Sequence, residues 1–175
     1  MERFVVFTLG VDQPGIVAAV TGALFEQGCN LADCSMTILA GHFAMALVVD
    51  SPSGATAVET ALEEPARTLD LGTAVRRIDD RAIDMVGDPY VLSVYGADHP
   101  GIVARITRLL ADDGVNVTDL ETRVIGAPQE PVYAMLFEVM LPAGLDAAKL
   151  RADLAAVGAE VGVDTTLHAA DADVL

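Results

Sequence analysis

Asp12-Gln13-Pro14-Gly15-Ile16-Val17-Ala18 returns 86 residues later as Asp98-His99-Pro100-Gly101-Ile102-Val103-Ala104. The spacing holds beyond the motif. Gly10 matches Gly96, Thr21 matches Thr107, Leu24 matches Leu110, Gly28 matches Gly114, Asn30 matches Asn116 and Asp33 matches Asp119. Across residues 10–33, 12 of 24 positions are identical at that offset. This indicates two copies of one supersecondary unit. The shared residues mostly turn and cap the chain rather than fill a core, so the copied object includes a candidate site.

Each copy reads as strand, helix, strand, strand, helix, strand. In repeat 1 the β-rich run 4–9 is followed by a turn at 10–13. Pro14 opens a helix, where a missing N–H does no harm, and Gly28 is its C-cap. Strands are expected at 30–39, 43–49 and 71–78, with a second helix over 55–64 that Pro65 stops. In repeat 2 strands are expected at 90–95, 116–125, 131–141 and 160–167, with helices at 100–113 and 146–157. A loop over 126–130 makes repeat 2 four residues longer there, since Ala44-Met45 pairs with Ala134-Met135 at an offset of 90. The order is that of the ferredoxin-like split βαβ unit. The expected fold is therefore α+β: two βαββαβ domains, each a four-stranded antiparallel sheet of order 4-1-3-2 with both helices on one face. Domain 1 spans residues 1–83, a linker 84–89, domain 2 spans 90–168, and 169–175 form an acidic tail.

The 175 residues carry a net charge of −16, with one lysine and nine arginines. Such a balance excludes direct contact with nucleic acid, which needs cations to displace phosphate counterions. It fits a solubility function or a basic protein partner. No apolar run approaches the length of a membrane span. The start Met1-Glu2-Arg3, leading directly into a strand, is not a signal peptide; a cytoplasmic protein is expected. Cys29 and Cys34 are read as reduced thiols, because Cys-x4-Cys without a nearby His is not a zinc pattern. Met36, Met45, Met135 and Met140 are read as core. The sequence holds no Ser-His-Asp set, phosphate loop or paired catalytic carboxylates, so neither an enzyme nor a cofactor is expected.

The Gly-x-Asp-x-Pro-Gly corner carries the candidate chemistry. Asp12 and Asp98 are expected to cap free helical N–H groups. Gly15 and Gly101 leave the backbone open, and the helix tip suits a carboxylate. Asn30 and Asn116 open the strand after the helix, and their amides both donate and accept. Together these groups suit a zwitterion. The same residues also make a sound turn and helix start with no ligand. His99 at the helix start is within reach of a ligand, but the favoured reading is an exposed turn histidine.

The two repeats differ on their outer faces. Arg105 and Arg108 stand where repeat 1 has Ala19 and Gly22, and Phe4-Val5-Val6-Phe7 is apolar on both strand faces. A contact between copies of the chain is therefore expected on repeat 1, at Ala19 and Gly22; the alternative is that this helix packs on repeat 2 of its own chain.

The corner followed by Gly-x-Asn in a βαββαβ unit resembles the ACT domain family, over about residues 3–167. The stretches 9–17 and 28–35 resemble the glycine cleavage system transcriptional repressor group of double ACT proteins. The resemblance implies a regulatory protein binding an amino acid or similar metabolite. It implies a pocket between ACT units, often paired side by side into an eight-stranded sheet. The pocket residues it implies are Asp12, Gln13, Pro14, Gly15, Ile16 and Asn30, with Asp98, His99, Pro100, Gly101, Ile102 and Asn116. Some ACT domains hold a polar ligand contact two residues before the Asp; here Gly10 and Gly96 stand there, and the contact is missing. The resemblance also implies action through a DNA-binding protein partner rather than on DNA. The rival readings are a detached regulatory subunit of an amino-acid biosynthetic enzyme and a structural oligomerisation module without ligand.

Overall fold

A computed structural model describes residues 1–79, 87–127 and 130–170. Repeat 1 contains β1 (Glu2–Val11), α1 (Ile16–Glu26), β2 (Asn30–Leu39), β3 (His42–Ser51), α2 (Ala55–Leu69) and β4 (Gly72–Ile78). Repeat 2 contains β5 (Asp88–Gly96), α3 (Ile102–Asp112), β6 (Asn116–Ala127), β7 (Glu130–Leu141), α4 (Ala147–Glu160) and β8 (Val163–Ala169). Among the described residues the strands form two four-stranded antiparallel sheets, ordered β2-β3-β1-β4 and β6-β7-β5-β8. This is the expected 4-1-3-2 arrangement, with the second strand of each repeat on an edge. The chain divides into compact units Met1–Ala82 and Ile83–Leu175. Residues 84–86 of the expected linker, Asp80, residues 128–129 of the expected loop and 171–175 of the tail lie outside the described residues. Asp88 and Pro89 already belong to β5, and Ala169 ends β8.

Each helix buries one stripe at helical spacing. Ile16, Val20 and Leu24 do so on α1, and Ile102, Ile106 and Leu110 on α3. These stripes lie on alternate strand residues: Phe4 and Val6 with Phe43, Met45, Leu47 and Val49 in repeat 1, and Leu92 and Val94 with Met135, Phe137 and Val139 in repeat 2. Each unit thus has its own core between one helical layer and one sheet face, as one-sided antiparallel sheets do.

Several expectations need correction. The first helix of each repeat begins after the glycine, not at the proline: Gly15 and Gly101 are the N-cap residues, at φ 99° and 102°. A left-handed residue cannot lie inside a helix, so Pro14 and Pro100 stay outside. Pro65 does not stop α2, which continues to Leu69. Proline removes one helical hydrogen bond there. Its ring is buried, as are Val58 and Leu62 on the same helix, and that packing carries the helix past the gap. The chain leaves α2 only at Asp70, which is left-handed at φ 52°. Glu160 ends α4 rather than opening the last strand. Met45 and Met135 are core, but Met36 is 46% exposed and Met140 is half-buried. All ten residues of β2 are exposed, so that strand lies beyond the cover of the helices. Cys29 is half-buried and Cys34 exposed, both as free thiols.

Candidate functional site

The β1–α1 corner is built on the end of the sheet where β2 turns into β3. Asp12 N–H donates to the Gly41 carbonyl at 2.9 Å, which joins the corner to that turn. Gln13 Nε2 donates to the Leu69 carbonyl at 2.9 Å, joining it to the end of α2. In repeat 2, His99 lies over Gly162: a Cβ on Gly162 would sit 3.5 Å from His99 Nε2. The residue after the Asp therefore lies at the turn that follows the second helix in both units, hydrogen-bonded to it in repeat 1 and beside it in repeat 2.

The helix tips are alike and open. Gly15 and Gly101 share ψ values of −9° and −10°, and neither α1 nor α3 receives a side-chain cap. Asp12 and Asp98 were expected to cap; they do not, because the left-handed glycine takes the capping position itself. Only two later N–H groups are tied back through the cap glycine, as Ala19 to Gly15 and Arg105 to Gly101. A Cβ on either glycine would meet nothing within 4 Å. The glycine is needed for its φ, and the space above it is free. By contrast, Asp146 caps α4 conventionally, accepting from Ala148 and Lys149 N–H at 2.8 and 3.3 Å. Asp12, Pro14, Asp98 and Pro100 are exposed, whereas Ile16 and Ile102 point into the cores. The Asp12 carboxylate makes no hydrogen bond or ion pair among the described residues.

Asn30 and Asn116 stand elsewhere. Asn30 pairs with Asp50 at one end of β3, while Val11, next to Asp12, pairs with His42 at the other. In repeat 2, Asn116 pairs with Met140 and Gly96 pairs with Tyr133. Ten strand residues span about 30 Å. One small ligand therefore cannot touch the corner and the asparagine of the same unit. Beside Asn30 lies a cleft of about 190 Å³ lined by Thr21, Leu24, Phe25, Cys29, Leu31 and Val49.

The structure explains the missing polar contact at Gly10 and Gly96. A Cβ on Gly10 would lie 2.6 Å from Leu71 Cδ2 and 3.2 Å from the Asp70 carbonyl. On Gly96 it would lie 2.7 Å from Val163 Cγ1 and 2.8 Å from the Gly162 carbonyl. The turn between the second helix and the last strand fills the place where a side chain would project. No local motif marks that turn as part of the site; only the topology brings it beside the corner.

Among the described residues no group of three or more His, Cys, Asp or Glu is placed to hold a metal ion, and no helix is long and apolar enough to cross a membrane. The ionic features lie away from the corners. Arg3 Nε donates to Asp50 Oδ1 at 2.7 Å, and this hydrogen bond holds the Asp50 carboxyl below its ordinary value. Lys149 Nζ donates to Asp153 at 2.6 Å, which pushes the Lys149 ammonium up.

The ACT domain family signature matches residues 2–76 and again residues 88–168. The chain belongs to the ACT domain family. As a tandem ACT protein it is similar along its length to the glycine cleavage system transcriptional repressor of Escherichia coli (strain K12), 26% identical over 171 residues, covering 95% of this chain and 90% of that one. It is also similar to phosphoserine phosphatase SerB2 of Mycobacterium tuberculosis, 24% identical over 165 residues, covering 91% of this chain but 39% of that protein. A solved "unknown protein" from Galdieria sulphuraria superposes with a TM-score of 0.83 at 30% identity, covering 97% of this chain and 99% of that one.

Proposed function

We propose that this tandem ACT protein is a cytoplasmic, non-enzymatic regulator that binds a small zwitterionic metabolite, an amino acid by its chemistry, at the corners of Asp12–Ile16 and Asp98–Ile102. The reading rests on one observation above the others. Both units of an ACT chain present the same open helix tip, with a left-handed glycine, no side-chain cap and free space above. The ligand carboxylate takes the exposed N–H groups of the first turn, and Asp12 or Asp98 takes the ammonium. Asn30 and Asn116 join only if another ACT unit lays its second strand antiparallel along this one, bringing an asparagine end to a corner. The full exposure of β2 on both faces, with Leu31, Met36 and Ile38 uncovered, supports such edge pairing. The ligand acts by binding one arrangement of units better than another.

The output is carried by a protein partner. Similarity to a transcriptional repressor supports a DNA-binding regulator as that partner, and a net charge of −16 favours a basic one over nucleic acid. Similarity to part of a phosphatase supports the second reading, a regulatory subunit of an amino-acid metabolic enzyme. A pull-down that recovers a DNA-binding protein favours the first, and one that recovers a biosynthetic enzyme favours the second.

A thermal-shift screen against the amino acids tests the ligand. At about 100 times Kd a ligand of the native state adds about 2.7 kcal/mol, several degrees for a chain of this size. Asp12→Ala and Asp98→Ala, made separately, each remove one share of that shift. If every amino acid leaves the midpoint unmoved, the reading fails.

A further inference from the structure

We propose that the open face of the first sheet docks a second copy of this chain, first sheet against first sheet. The helices cover one face of the β2-β3-β1-β4 sheet. The other face carries Val5, Phe7, Leu9 and Val11 from β1, with Ala44, Ala46 and Val48 from β3 and Ala74 from β4, which pair with them in register. Phe7, Leu9 and Val11 are 50%, 59% and 61% exposed. Contiguous apolar surface of this kind marks an interaction site on a folded protein.

The fold does not demand an apolar face there. The matching face of repeat 2 keeps Val91, Tyr95, Ala134 and Leu136 but breaks the patch with Ser93 for Phe7, Glu138 for Val48 and Thr166 for Ala74, and β6 adds Glu121 and Arg123. Both sheets stand on equally well-formed cores, so the difference belongs to the surface and not to folding.

Shape selects the occupant, and charge limits which patch two copies can share. A chain of net charge −16 repels its own copy, so two copies meet most readily through a patch without carboxylates. The middle of this face is such a patch. Its charges stand at the margins, where Arg3 and Asp50 pair with each other, Asp33 accepts from Cys34 N–H, and Arg76 pairs with Val5 across β1–β4. The relief is also self-complementary. Phe7, Leu9 and Val11 form a ridge. Phe7 is flanked by Ala46 and Ala74, and Leu9 by Ala44 and Gly72. Between the ridge and β2 runs a groove of about 410 Å³, lined by Phe7, Leu9, Ser35, Thr37, Ala44 and Ala46. Under a two-fold operation each ridge enters the other copy's groove, the isologous arrangement of a symmetric dimer, with the sheets about 10 Å apart.

This narrows the expected repeat 1 contact to one surface, and it stands whether or not the corners bind an amino acid. The test is sedimentation equilibrium of the full chain. The variants are Phe7→Ser with Val48→Glu, residues the second sheet already tolerates at those positions, and Ala46→Arg, which fills the groove. Circular dichroism and the melting midpoint verify folding of each. Wild type is expected to associate, and both variants to halve its mass, while Ser93→Arg on the matching face of repeat 2 leaves it unchanged. A monomeric wild type overturns the proposal. So does a wild-type mass retained by folded variants, and so does a mass lost only on Ala19→Glu, which would place the contact on α1 instead.

Discussion

Gly10 and Gly96 occupy equivalent positions but are held differently. At Gly10 the closest obstacle is a leucine methyl, which can rotate away; at Gly96 it includes the backbone of Gly162 and Val163. Forced overpacking typically costs about 1–3 kcal/mol. Gly96→Ala is expected near the top of that range and Gly10→Ala near the bottom, read as the difference in urea midpoints. Equal losses would contradict the close-approach account. The Arg3–Asp50 pair makes a pH prediction. Asp50 is held below its ordinary value of 3.8 in the folded chain, so its contribution is present above that value and is lost as pH falls through the lowered one. The difference in melting midpoint between wild type and Arg3→Gln should be visible at pH 7 and shrink toward pH 3. A difference that persists at low pH would assign Arg3 another function. The repeat announced Gly15 and Gly101 as special, but not their reason. The same Pro-Gly pair reads as a helix start, and only the backbone angles show that the glycine ends the turn and the proline lies outside.

Elements separate what periodicity reveals from what it hides. Helices and strands followed from apolar spacing, and their order gave the sheet. Helix ends did not follow. Asp12 looked like a cap but is not one, whereas Asp146 is. Asp146→Ala is therefore expected to cost about 1 kcal/mol, while Asp12→Ala and Asp98→Ala, as exposed surface changes, should stay within about 0.5 kcal/mol. Chemical denaturation of the three variants decides it, and a loss at Asp12 equal to that at Asp146 would restore the capping interpretation. A local rule makes Pro65 a stop and does not register the burial that lets α2 run on. Alternation puts Met36 on a shared face but does not show whether anything covers it. Sequence order sets Asn30 beside the helix tip, whereas the β3 register places it at the far end of its strand.

At the scale of the whole molecule, acidity and apolar surface oppose each other. A net charge of −16 resists association of copies, while the first sheet's open face and the exposed β2 favour it. Screening weakens only the first. Self-association is therefore expected to strengthen between about 0.05 and 0.5 M salt, where the screening length falls severalfold. Weakening over that range would point to ion pairs in the contact instead. The duplication and the family resemblance made two ACT units legible from residues alone. The open sheet face was legible only in part: Phe4-Val5-Val6-Phe7 is apolar on both strand faces, but alternation along one strand does not show which neighbouring residues complete the face, and the expected contact fell on Ala19 and Gly22 instead. The central claim is that the twin corners are receptors. The most direct measurement is the backbone amide spectrum of the labelled protein, titrated with the amino acids that raise its melting midpoint. The account predicts the largest shifts at the N–H groups of Ile16, Val17 and Ala18 and of Ile102, Val103 and Ala104. Saturable shifts confined to other surfaces, with those six amides unmoved, would contradict it.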